Sequence, residues 1–355
     1  MGVAVQELDP MPSGPVRQPY AAHLVRGGLR VLGGTDARRI LMLLVALGLL
    51  IGAFSGLSNG REMLPSNLLN IATSASLLGV VSIGEVVVMI AGGLDISVGS
   101  TAGLVSSVTA VVMVDSHESV VAGVFAGLAV GVAAGLVNGL MVAYVGVNSV
   151  IATLATYSAY AGLALLATGG QEIGIASNFF NVLGTGSGLG VPYLVWVLLV
   201  VCLIGIFVMR YTDIGRQVYA VGGSARAALL AGIKVGRYTT MVFVVSGLCA
   251  AVAGVLLAAQ TGSAQPTEGS VGLELTAITA ILLGGISLAG GSGSVLGAIL
   301  GVALLATLDN GLLLVGLQEF WQQVATGGLL VTAVVLQNYQ LIIERVRGVG
   351  RRFAS

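Results

Sequence analysis

The stretch V-V-A-G-V-F-A-G-L-A-V-G-V-A-A-G-L-V-N-G-L-M-V-A-Y-V, from Val120 to Val145, decides the fold class. It contains no Asp, Glu, Lys, Arg or His, and it is longer than the roughly 20 residues a helix needs to cross a bilayer. Gly127, Gly131, Gly135 and Gly139 recur at every fourth position, which strips one helix face to backbone and lets a neighbouring helix approach closely. Packing is the reading this spacing favours.

The same pattern fills the chain. Of 355 residues, 56% are hydrophobic and 8% charged, where soluble domains carry about 25% charge. Mean hydropathy is +1.01. A water-soluble fold of this size needs more charge to cover its surface, so the sequence predicts an all-α, polytopic transmembrane helix bundle with about ten spans. Polar breaks put the spans at about 40–57, 66–91, 96–114, 120–145, 149–169, 191–209, 238–260, 272–289, 294–315 and 320–341. A glycine-rich joint beginning at Gly92 links the second and third, and Ala289 to Gly293 links the eighth and ninth. Gly293, Gly297 and Gly301 repeat the four-residue spacing on the ninth. The expected organisation is a tail over 1–39, a membrane domain over 40–341 and a basic tail over 342–355.

All basic residues except Arg61 fall in three segments: before the first span, between Arg210 and Arg237, and after the last span. Positive residues concentrate on the cytoplasmic side of membrane proteins. Both termini and the loop 210–237 are therefore expected to be cytoplasmic, and the even number of spans on each side of that loop agrees.

Composition excludes whole classes of chemistry. The single lysine, Lys234, sits in A-G-I-K-V, with no G-x-x-x-x-G-K-[ST] phosphate loop around it. The chain is expected to hydrolyse no ATP. Two histidines and two cysteines (Cys202 and Cys249) are too few and too scattered for a metal site, and neither H-E-x-x-H nor G-x-S-x-G occurs. No enzyme activity, bound cofactor or nucleic-acid partner is expected. The mixed polar residues ahead of the first span argue against a cleavable signal peptide.

Ionisable and amide side chains inside spans are costly and stand as candidates for function. Glu85, Asp309, Asn138 and Asn310 fall in spans, and Asp95 in the glycine joint. They either line a polar translocation path or hydrogen-bond one helix to another. Glu274 lies near the end of its span, where solvation is as good an account. Two loops on the expected outer side, about 170–190 with Glu172, Asn178, Phe179, Phe180 and Asn181, and 261–272 with Gln265, Pro266 and Glu268, either receive a partner or simply connect spans.

Thr212 to Arg237 reads T-D-I-G-R-Q-V-Y-A-V-G-G-S-A-R-A-A-L-L-A-G-I-K-V-G-R. Ser224 is placed to cap a short helix running to Leu230, and Gly232 to end it. Its face of Ala227, Ala228, Leu230 and Ala231 needs a groove, on another protein or on the bundle itself.

Gly215-Arg216, Tyr219-Ala220, Gly222-Gly223, Ala227-Ala228 and Gly232-Ile233 together resemble the cytoplasmic coupling loop of bacterial ABC importer permeases of the ribose/xylose type. G-G-L-D-I-S-V-G-S from Gly92 and G-G-I-S-L-A-G-G-S-G-S-V-L-G from Gly284 are similar to that family's motifs in the same order. Ala225-Arg226 depart from it, standing where acidic residues are usual. The resemblance implies a permease that moves a monosaccharide across a bacterial cell membrane. It implies ATPase-coupling residues at Gly215, Arg216, Tyr219, Ala227, Ala228 and Gly232. The implied partners are a second permease copy, a cytoplasmic ABC ATPase that binds ATP and Mg, and an extracytoplasmic solute-binding protein. Related permeases take nucleosides, branched-chain amino acids or furanone-type signals. A different class, an ion-coupled secondary transporter using Glu85 and Asp309, also accounts for the polar residues in the spans. The two glycine motifs resemble each other, Gly92-Gly93-Leu94-Asp95 against Gly284-Gly285-Ile286-Ser287, which suggests an internal duplication.

Overall fold

A computed structural model describes residues 34–267 and 272–337. The chain divides into two compact units, Met1–Arg39 and Ile40–Ser355, and the second builds the bundle. Glu268, the basic residues Arg17, Arg26 and Arg30, those from Arg345 to Arg352, and the 342–355 tail lie outside the described residues.

Thirteen helices occur among the described residues: α1 (Gly34–Leu57), α2 (Pro65–Ile90), α3 (Val98–Asp115), α4 (Val120–Leu140), α5 (Ser149–Thr168), α6 (Asn178–Thr185), α7 (Tyr193–Tyr211), α8 (Asp213–Gly223), α9 (Ala225–Leu230), α10 (Val235–Thr261), α11 (Leu273–Leu283), α12 (Val295–Leu314) and α13 (Glu319–Gln337). A 3-10 turn, Arg61–Met63, precedes α2, and a π turn, Met141–Val145, extends α4. The only strands described form a hairpin, β1 (Ser187–Gly188) with β2 (Val191–Pro192). Side-chain oxygens cap many of the helices. Ser119, Asn148, Thr212, Ser224 and Ser294 accept from the otherwise unpaired N–H groups of α4, α5, α8, α9 and α12.

Eight of the helices are long and apolar enough to cross a membrane, where the sequence led us to expect about ten spans. The two that fall short are α11 and the apolar part of α13, Phe320–Val335. The span expected over 272–289 stops early because Gly285, with φ 86°, closes α11: its N–H bonds to Leu282 and that of Ile286 to Ile281. An 11-residue helix rises about 16 Å, near half of the roughly 30 Å hydrocarbon core. In the non-helical chain that follows, Ile286 is fully buried while Leu288, Ala289 and Ser292 are exposed.

At the centre lies α2. Every residue from Leu78 to Ile90 is buried, as expected of a helix that is apolar all round, and it packs against α7, α10, α11 and α12. The most extensive helix contact joins α4 to α10. A Cβ at Gly131 would overlap Ala251, one at Gly135 the carbonyl of Phe243, and one at Gly247 the carbonyl of Gly131. Gly139 sits on Thr240 and Gly127 on Thr109. Gly297 and Gly301 of α12 lie as tightly against the carbonyls of Gly284, just past α11, and Ala280, within it. Gly293 does not share that helix face; it precedes the Ser294 cap, in the turn, with φ 131°.

Overpacking at such a contact costs about 1–3 kcal/mol or more. Gly131→Ala is expected to lower the thermal midpoint of the detergent-purified protein. Gly52→Ala, on a helix face with nothing within 4 Å, is expected to leave the midpoint unchanged or slightly raise it. Size-exclusion recovery after heating measures both.

Candidate functional site

Three segments distant in sequence converge on one point. α2 ends at Gly92 with the same paired bonds that end α11: the Gly92 N–H to Met89 and the Gly93 N–H to Val88. Gly92 and Gly285 share φ 86°, so the two turns correspond one residue out of step with the sequence match, which sets Gly92 against Gly284. The turns touch. The Gly291 N–H donates to the Ile90 carbonyl at 2.8 Å, and a Cβ at Gly290 would stand 2.8 Å from Gly92 Cα. Gly222, at the end of α8, fits between them, where a Cβ would overlap the Ile90 carbonyl. Tyr219, one turn earlier, donates its hydroxyl to the Gly293 carbonyl at 2.8 Å.

The other loop residues frame this contact. Gly215 is buried against the Met209 carbonyl, and its N–H donates to the Thr212 hydroxyl at 3.3 Å. Arg216 is exposed and paired with Asp213. In α9, Ala228 turns into the bundle while Ala227, Leu229, Leu230 and Ala231 face outward. Gly232, at φ 84°, closes α9, with the Ile233 N–H bonded back to Ala228 at 3.0 Å. Leu230 is 82% exposed.

The polar residues of the spans separate into two groups. Glu85, Asp95 and Asn138 are fully buried in one network around the α2–α3 turn. Four successive N–H groups that no helix satisfies each find a side-chain oxygen: Leu94 to Ser149 Oγ at 3.2 Å, Asp95 to Glu85 Oε1 at 3.1 Å, Ile96 to Thr153 Oγ1 at 3.1 Å, and Ser97 to Asp95 Oδ1 at 3.0 Å. Asp95 Oδ2 accepts from Ser246 at 2.9 Å, Asn138 donates to Ser97 Oγ at 2.8 Å, and Thr156 donates to Asn138 at 2.7 Å. The network ties the turn to α4, α5 and α10.

Asp309 and Asn310 belong elsewhere. Asn310 accepts from Asn67 at 2.9 Å, joining α12 to α2. Asp309 lines a cavity of about 520 Å³ between α2, α3, α10, α11, α12 and α13. Sequence reading passed over Gln322, which also lines it. A glutamine pair, Gln322-Gln323, inside a predicted span was the available signal. Ser149, Thr153 and Ser246 were also missed, because hydroxyls are common in spans and only the fold brings these to the turn.

The two outer loops are joined to each other. Ile173 to Ile175 pairs with Gly262 to Ala264 through backbone bonds of 2.8 Å, and Glu172 accepts from Ser263 and Gln265. Asn181 donates to the Ile175 carbonyl at 3.2 Å, Phe180 is buried, and Phe179 is 80% exposed. Among the described residues no group of His, Cys, Asp and Glu is arranged to hold a metal ion.

The chain matches the family model described as "Branched-chain amino acid transport system / permease component" over residues 67–334. It belongs to this permease family. The permease is 39% identical over 276 residues to the ribose import permease of Bacillus subtilis (strain 168), covering 77% of this chain and 85% of that one. It is 37% identical over 299 residues to the ribose import permease of Escherichia coli (strain K12), covering 83% and 92%. Against an L-arabinose ABC transporter permease of Azospirillum brasilense the identity is 36% over 276 residues, covering 78% and 81%. No solved structure matches the permease.

Two substitutions test the buried polar groups. Asp95→Asn sets an amide donor against Ser97 or Ser246 and is expected to cost about 1–3 kcal/mol, read as a lowered thermal midpoint. Glu62, in the 3-10 turn, has both carboxylate oxygens buried without a partner among the described residues, and burial raises its pKa. A carboxyl whose pKa is raised by folding favours the fold below the unfolded value of about 4.3, and loses that contribution as pH rises through the higher folded value. Glu62→Gln is therefore expected to be more stable than wild type at pH 8, with the difference shrinking on acidification to about pH 4.

Proposed function

We propose that the permease is the membrane-spanning subunit of an ATP-driven importer for a monosaccharide delivered by an extracytoplasmic binding protein. The observation that carries this reading is the similarity, over most of both chains, to permeases named for ribose import and for L-arabinose transport. In this reading two permease copies pair in a bacterial cell membrane, and both termini and the loop 210–237 face the cytoplasm. A separate ABC ATPase binds ATP and Mg and hydrolyses the ATP, since the only lysine of this chain stands in no phosphate loop.

The coupling surface is α8 and α9. Leu229 and Leu230, with Arg226 beside them, form an exposed apolar tip with a basic edge, which fits a groove on the ATPase. Movement there reaches the bundle through Gly222, held between the two glycine turns, and through the Tyr219 hydrogen bond to Gly293. Arg216 and Gly215 hold the start of α8, and Ala228 anchors α9.

Uptake of radiolabelled D-ribose, D-xylose or L-arabinose into proteoliposomes is expected to require the ATPase, ATP and a loaded binding protein. Uptake by the permease alone would refute the reading in favour of an ion-coupled carrier. Gly232→Val forces a β-branched residue into the left-handed region, at about 1–2 kcal/mol, and displaces the tip of α9. Transport is expected to fall about tenfold with membrane insertion intact and stimulated ATPase activity lost. Normal transport would refute the coupling role.

A further inference from the structure

The cavity beside Asp309 has a composition that selects among small solutes. Its volume of about 520 Å³ lies within the roughly 300–1,000 Å³ of small-molecule sites. Leu77, Leu78, Leu257, Leu273, Leu275 and Leu330 supply its bulky apolar side chains. Asp309 Oδ1 and Gln322 Nε2 are buried polar atoms with no partner among the described residues, and both residues line the cavity. An acceptor and a donor left this way are expensive unless something fills their bonding capacity. Thr276 and Thr279 also line it. Their hydroxyl protons are committed to the carbonyls of Gly272 and Leu275, at 2.9 and 2.7 Å, so their oxygens remain as acceptors.

We propose that this cavity is a binding site for a small neutral polyhydroxyl solute, held between Asp309 of α12 and Gln322 of α13. Each hydroxyl of a sugar both donates and accepts, which is what a carboxyl oxygen, an amide N–H and two threonine oxygens together require. No basic side chain lines the cavity, so the carboxylate of an amino acid would be buried without a counter-charge, at high cost. No aromatic ring lines it either, so a nucleobase finds no stacking surface. A thinly anchored polyol is the solute that fits. Weakness suits the task, because a site on a conduction path must release its solute as readily as it admits it.

The inference rests on the sugar-importer reading, and the experiment separates the two. The complete importer, with its ATPase and binding protein, is reconstituted and tested with labelled D-ribose, D-xylose and L-arabinose. If wild type takes up none of the three, the importer reading fails. If wild type transports and Asp309→Asn combined with Gln322→Leu transports equally well, the site fails while the importer reading stands. The expected result is a fall in uptake of about tenfold in the double variant. KM, set by the binding protein, stays unchanged, and ATPase stimulation stays within about twofold of wild type.

A second measurement decides the matter if the double variant does not assemble. Thr326→Cys places a thiol on the cavity wall, while the native Cys202 and Cys249 are buried. The transported pentose at roughly 50 mM, above the millimolar dissociation constants expected of a weak site, should slow alkylation of that thiol severalfold. Buffer brought to equal osmolarity with salt should not slow it. Unchanged alkylation in a Thr326→Cys importer that still transports would overturn the proposal.

Discussion

Backbone meets backbone at Gly92, Gly222 and Gly290, with no side chain between the three segments. The rest of the permease is arranged around that contact. The central helix α2 and the short helix α11 each end in a left-handed glycine directly before it, and α8 comes in from the loop side. Dispersion attraction falls off steeply with separation, so three chains gain most from one another where nothing protrudes. For the same reason the contact has no soft degree of freedom. No side-chain rotamer is available there to absorb a displacement of α8.

The two turns share their helix ending and then solve the same electrostatic problem in different ways. After α2, four unpaired N–H groups are met by Ser149, Glu85, Thr153 and Asp95. After α11, the longer connection turns on itself, with Gly290 bonded to Ser287, Ser287 to Ser292 and Gly291 reaching over to Ile90. Carboxyl groups thus meet the backbone after α2 and not after α11. Glu85 and Asp95 serve as hydrogen-bond acceptors for backbone within a packed bundle. Asp309, chemically similar, lines the cavity instead.

Much of this architecture could be read from the residues, and what could not has a physical reason. Hydropathy marked ten apolar segments, because lipid solvation acts on each segment alone. It overran α11, because Leu283 to Ala289 stays apolar while the backbone has already left the helix at Gly285. Four-residue glycine spacing announced close packing on α4 but not that α10 is the partner. The short helix α9, its Ser224 cap and its Gly232 stop were all legible, since capping is local chemistry. The five polar residues of the spans looked alike in sequence; only tertiary contacts divide Glu85, Asp95 and Asn138 from Asp309 and Asn310. The cavity was invisible, because its walls come from six helices.

The contrast between Gly222 and Leu230, eight positions apart in one loop, bears on how such a permease diversifies. At Gly222 any side chain collides with fixed backbone, so the position tolerates no gradual change. At the tip of α9, Arg226, Leu229 and Leu230 touch little of their own chain, and substitutions there leave the bundle undisturbed. The loop thus has one end free to vary and one end fixed by backbone contact.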